Sequence, residues 1–182
     1  MIGKVPLDQL AKTKGIEVEW KAFELRPEGV EVPEKSPEYY QRAWESVKQF
    51  AAQYGLEMKF NRQARHSRKA HEGAKFAIEH GKGNEYHEAV FRSQFQEDEN
   101  INEIDTLVAI AEEIGLDPTA FRKALDTGQY RPQVLADTEL AARYGVTGVP
   151  CFVVGNRGAF GVQSQEALER LLEGKDLLLD LE

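Results

Sequence analysis

The chain holds one cysteine, Cys151, and so can form no intramolecular disulfide; this agrees with a reducing compartment but does not require one. Long apolar runs are missing too. No stretch approaches the roughly 20 residues needed to span a bilayer, and Met1-Ile-Gly-Lys-Val-Pro6 lacks the apolar centre of a signal peptide. Nor is there a basic excess: 23 Lys and Arg against 31 Asp and Glu leave a formal charge of -8, which argues against nucleic acid or an anionic membrane as a partner. A cytoplasmic location is the expectation. Internal repeats, low-complexity tracts and linkers are likewise absent, so residues 1–182 read as a single domain, long enough to bury a core without disulfide or metal staples.

The four histidines do not make a metal site. His66 and His71 are five apart and His80 and His87 seven apart, whereas two ligands on one helix face want four. Adjacent acids in a loop do not by themselves converge on an ion, so Gln96-Glu-Asp-Glu-Asn100 reads as a solvated loop. Neither a metal nor a cofactor is expected. Trp20, Phe23, Trp44 and Phe95 are expected to supply core area.

What is present is mostly helical periodicity between two strand-like ends. Val5, Leu7, Leu10 and Ala11 predict a helix from Gly3 to Lys14 that stops at Gly15. Ile16 to Leu25 mixes alternation with an apolar centre, as a strand of a covered sheet would. Arg26 to Pro33 is loop. Ser36-Pro37-Glu38 supplies an N-cap, a first-turn proline and a first-turn acid for a helix to about Tyr54. After a weak strand candidate at Leu56 to Phe60, helical stripes follow: Ala70, Ala74, Ala77 and Ile78; Val90, Phe91 and Phe95; Leu107 to Ile114; Phe121 and Leu125; and Val134 to Ala141. Asn102-Glu-Ile-Asp105 has the outline of a capping box and Asp117-Pro118 caps the next helix. Cys151 to Val154 and Gly158 to Val162 flank a Gly155-Asn156-Arg157 turn, predicting a hairpin, and Ser164 caps a last helix from Gln165 to about Glu173.

The densest signal is Gly145-Val-Thr-Gly-Val-Pro150-Cys-Phe-Val-Val-Gly155. A proline at the head of an apolar strand either is cis or merely begins the strand in trans. Cys151 follows it directly, inside a predicted interior strand where a thiol is more often core than nucleophile.

Three separated motifs carry a resemblance: the Gly145 to Gly155 run with its Asn156-Arg157-Gly158 turn and Gly161-Val-Gln-Ser-Gln-Glu-Ala-Leu168; Val18-Glu-Trp-Lys-Ala-Phe-Glu-Leu-Arg-Pro27; and Ala70-His-Glu-Gly-Ala-Lys-Phe-Ala77. Together they resemble the thioredoxin-fold DsbA family, and more narrowly its FrnE-type and hydroxychromene-carboxylate-isomerase-like branch. The resemblance implies an α/β, thioredoxin-like fold with a large all-helical insertion at about 36–144, and Pro150 in cis. Gly148, Val149, Pro150 and His71 would line a substrate groove. It also implies a Cys-x-x-Cys motif just before a stretch like Ile2-Gly3-Lys4. The chain has none, so the first strand and the dithiol are expected to be missing, either because the start at Met1 is internal to a longer protein, the favoured reading, or because this is a relative that has lost the motif.

In that family the first cysteine is the nucleophile and the second resolves the mixed disulfide. The implied function is therefore thiol-disulfide exchange on protein or small-thiol substrates, with no catalytic residue within this chain. A glutathione-dependent isomerase or transferase of the hydroxychromene or kappa type, and a non-catalytic peptide- or thiol-binding module, are the alternatives. Loss of a central strand would leave its neighbours' backbone groups unpaired. The gap is expected to be closed by a partner chain, giving a homodimer, or by the flanking strands moving together.

Overall fold

The computed structural model describes residues 1–27, 29–30, 35–61 and 66–175. The chain divides into two compact units, Met1–Phe23 with Asp137–Glu182, and Glu24–Ala136. In the first, α1 (Lys4–Lys14) packs on α8 (Gln165–Leu172), and α8 packs on the hairpin of β1 (Cys151–Val154) and β2 (Arg157–Phe160). Leu10, Ala159, Leu168 and Leu171 form its buried centre. Ser164 accepts the Ala167 N–H at 3.1 Å, as a helix N-cap should. The two-residue Gly155-Asn156 turn, with Gly155 at φ 63°, sets the antiparallel register Cys151↔Phe160 to Val154↔Arg157.

The second unit is helical. It holds α2 (Pro37–Ala52), α3 (Arg68–Glu79), α4 (Gly83–Arg92) with a π-helical turn over Ser93–Glu97, α5 (Ile104–Glu113), α6 (Pro118–Thr127) and the first half of α7 (Arg131–Arg143). Helices α3, α4, α5 and α6 pack around an aromatic centre in which Phe76 meets Phe121 edge-on at 5.3 Å and Tyr86 lies 5.6 Å from Phe121. Each such buried side chain contributes roughly 1.5–3 kcal/mol. Gly73 is what lets α3 and α4 approach, since a Cβ there would lie 2.3 Å from the Tyr86 hydroxyl and 2.7 Å from the Phe121 ring. The predicted stripe on α3 needs revision: Ala70, Ala74 and Ala77 are buried, but Ile78 is exposed and Phe76 takes the inward place. Helix α3 is covered on more of its circumference than one stripe because three helices surround it.

Two kinds of sequence expectation, strands and a capping box, fail because the hydrogen-bond partners differ from those expected. Residues 16–23 keep a strand's alternation, with Ile16, Val18, Trp20 and Ala22 turned inward and Glu17, Glu19 and Lys21 outward. They nevertheless form no strand, nor does Leu56 to Phe60, and among the described residues the sheet is the β1–β2 pair. Alternation follows from side-chain burial, but a strand also needs a ladder. The strands flanking the expected gap have therefore not come together; instead Ala22 donates its N–H to the buried Asp137 carboxylate at 2.8 Å. The capping box is the other correction. Glu103 occupies the N-cap position of α5 without a side-chain cap, and the Asn102 side chain accepts the His66 N–H at 3.1 Å instead.

Candidate functional site

Helix α7 is closed by Gly145 at φ 63° and by the Val146 N–H bonding back to the Ala141 carbonyl at 2.9 Å. The chain then bends through Gly148 and Val149 into β1. A Cβ at Gly148 would meet nothing within 4 Å, and Val149 is 49 % exposed, so this bend presents backbone and one apolar side chain to open space. The Val149–Pro150 peptide is cis. Pro150 is anchored from two sides: its carbonyl accepts the Gly161 N–H at 2.9 Å, and its ring rests against Gly3.

Gly3 stands out in the sequence as part of the Ile2-Gly3-Lys4 stretch, which does not announce its contact with Pro150. It is buried at the N-cap of α1, and a Cβ there would lie 3.0 Å from Pro150 Cγ and 3.4 Å from the Phe152 ring. The head of α1 is thus seated on the Val149–Pro150 bend. Its first turn holds no acidic residue and begins with Lys4, so the positive end of the helix dipole keeps its sign there. A glycine before a helix is too common a pattern to have flagged this contact.

Cys151 is a free, half-buried thiol whose pKa burial pushes above its ordinary value. A raised pKa means less thiolate at neutral pH, which disfavours Cys151 as a nucleophile. Of the expected groove residues, Gly148, Val149 and Pro150 stand together in the first unit. His71 belongs to the second, half-buried on α3, where its N–H donates to the Ser67 carbonyl at 2.9 Å. Among the described residues no group of three or more His, Cys, Asp or Glu side chains is arranged to hold a metal, and no helix is long and apolar enough to cross a membrane.

Residues 1–173 match the model of the DSBA-like thioredoxin domain. The uncharacterized protein YwbO of Bacillus subtilis (strain 168) is 36% identical over 181 residues, a match covering 94% of this chain and 88% of that protein. Among solved structures, a probable DsbA oxidoreductase from Streptomyces coelicolor superposes with a TM-score of 0.84 at 26% identity, covering 100% of this chain and 87% of the other. A 2-hydroxychromene-2-carboxylate isomerase superposes with a TM-score of 0.74 at 20% identity, over 95% and 86% of the two chains, a likeness of fold. The match to the family model over residues 1–173 and the similarity to YwbO over nearly the whole length agree: the chain belongs to the DsbA-like thioredoxin-fold family.

Proposed function

We propose that the chain carries the substrate-binding side of a FrnE-type thiol-disulfide oxidoreductase; it holds no Cys-x-x-Cys motif, so these 182 residues alone are inactive. The observation that carries this reading is the contact of Gly3 with the Pro150 ring. It supports a position at the head of α1 where a preceding cysteine would meet both an electropositive helix end and the open Gly148-Val149 backbone. A thiolate there would attack a substrate disulfide sulfur, form a mixed disulfide and release the other sulfur as thiolate; a second cysteine would then displace the substrate thiol and leave an intramolecular disulfide. The Val149 backbone would pair with an extended substrate segment by strand addition. Cytoplasmic substrates, protein or small thiol, fit this reading.

Because Cys151 is the single cysteine, a glutathione-dependent isomerase or transferase, which needs no dithiol, is the second reading. Insulin reduction with dithiothreitol as the terminal reductant, by the chain as given and by the chain extended with an N-terminal strand ending in Cys-x-x-Cys, separates them. The expected result is no reduction by the first and clear turnover by the second. Glutathione binding without reduction by either would favour the isomerase or transferase.

A further inference from the structure

Helix α2 carries two stripes, and the chain's own fold uses one of them. Tyr40, Trp44, Val47, Ala51 and Tyr54 turn inward, and Phe60 lies across them, 6.5 Å from the Tyr40 ring and 5.3 Å from Trp44. Offset by one position along the helix is a second series, Tyr39, Ala43, Ser46 and Phe50, spaced by four, three and four and exposed throughout. That spacing is the seam of a helix pair. Tyr39 and Phe50 are 55 % and 38 % exposed. Tyr39 leans edge-on against Tyr40 at 5.9 Å and Phe50 packs beside Tyr54 at 5.8 Å, so neighbouring inward rings steady both. An open hollow beside Ala43 and Ser46 runs along the same face, with Arg42 on its flank.

From these observations we infer that this face of α2 binds a second copy of the chain, with two α2 helices antiparallel across a two-fold axis between Ala43 and Ser46. Read along the helix the seam is large, small, small, large, so it is its own complement when reversed. Tyr39 lies over the partner's Phe50, and Ala43 over the partner's Ser46. The small central pair lets the backbones approach, while the aromatic rings overlap at both ends, about 17 Å apart at a rise of 1.5 Å per residue. The charges agree with this arrangement. Glu45 and Lys48 lie away from the seam, Glu38 lines the N-terminal end of the hollow with Arg42, Arg42 comes beside the partner's Gln49, and no like charges meet across the axis. Opposed helix dipoles favour the antiparallel sense. A single helix pair buries less than the roughly 1,200–2,000 Å² of a stable interface, so the pairing is weak and concentration-dependent.

Sedimentation velocity on the full chain, from micromolar to near-millimolar concentration, tests it. The average mass is expected to rise from the 20.6 kDa monomer toward twice that value; a monomer throughout overturns the proposal. Ala43→Glu with Ser46→Glu places acids against acids across the axis and should abolish the rise while helix content is kept. A dimer that survives this change overturns the proposal, because it must use another surface. Oxidative trapping covers the case in which that variant fails to fold. In a Cys151→Ser background, an equimolar mixture of Ala43→Cys and Ser46→Cys chains should give a disulfide-linked pair. A mixture of Gln41→Cys and Lys48→Cys, on the opposite face, should not, and equal trapping of both pairs overturns the proposal.

Discussion

Tyr86 is 1 % exposed, and its hydroxyl has no hydrogen-bond partner among the described residues. Burying an unpaired hydroxyl costs roughly 1–3 kcal/mol, so Tyr86→Phe is expected to leave stability unchanged or raise it by up to about 1 kcal/mol in urea denaturation. Gly73→Ala should act the other way. Its Cβ would press on the Tyr86 hydroxyl and the Phe121 ring, and overpacking of this kind costs about 1–3 kcal/mol. Helix α3 also buries Glu72 completely, with one oxygen 3.2 Å from Lys69 Nζ and the other 3.5 Å from Arg131 Nε. A few residues away, Arg68 grips the buried Glu24 through both carboxylate oxygens at 3.0–3.2 Å. Nothing in Ala70-His-Glu-Gly-Ala-Lys-Phe-Ala77 advertises that its glutamate faces the core, since a charged residue on a helix is ordinarily solvated. Cys151 is less enclosed than the interior strand expected from the sequence, being half-buried. Burial raises its pKa, so at neutral pH its alkylation in the native protein should be slower than that of a small free thiol, and should accelerate as pH rises or when urea unfolds the chain.

Helix ends were largely legible because caps are local. Ser36 accepts the Tyr39 N–H at 3.2 Å, and Asp117 accepts those of Thr119 and Ala120 at 2.9 and 3.2 Å. Asp117→Ala should therefore cost roughly 0.5–2 kcal/mol by denaturant titration, with no change in slope. Strands were less legible. Ile16, Val18, Trp20 and Ala22 alternate inward as predicted, yet no strand forms, because pairing depends on what lies alongside and not on the segment itself. Asp137 from α7 instead accepts the Ala22 N–H, a contact 115 residues apart in the chain that no local pattern announces. Asp137→Ala should leave that buried N–H without its acceptor, at about 1–3 kcal/mol.

For the whole molecule, alkaline pH is the informative variable. Burial, with a hydrogen bond to Glu79 at 2.8 Å, raises the Tyr130 phenol from 10.0 to about 12, and burial raises Tyr86 as well. As pH passes 10 the unfolded chain releases these protons while the folded chain keeps them, so the unfolded state binds fewer protons and stability falls with pH. Stability should therefore decline between about pH 10 and 12, and Tyr130→Phe should flatten that decline in thermal melts across the range.

Local chemistry in the sequence determined most helix ends, the hairpin turn and the motifs that placed the chain in its family, because caps, periodicity and glycine turns act over a few residues. Tertiary structure alone decided that Gly3 would bear on Pro150, that Ala22 would bond to Asp137, that Glu72 would be buried, and that residues 16–23 would form no strand. Each of these joins groups distant in sequence, or depends on the hydrogen-bond partner that folding brings alongside, and neither is a property of any one segment.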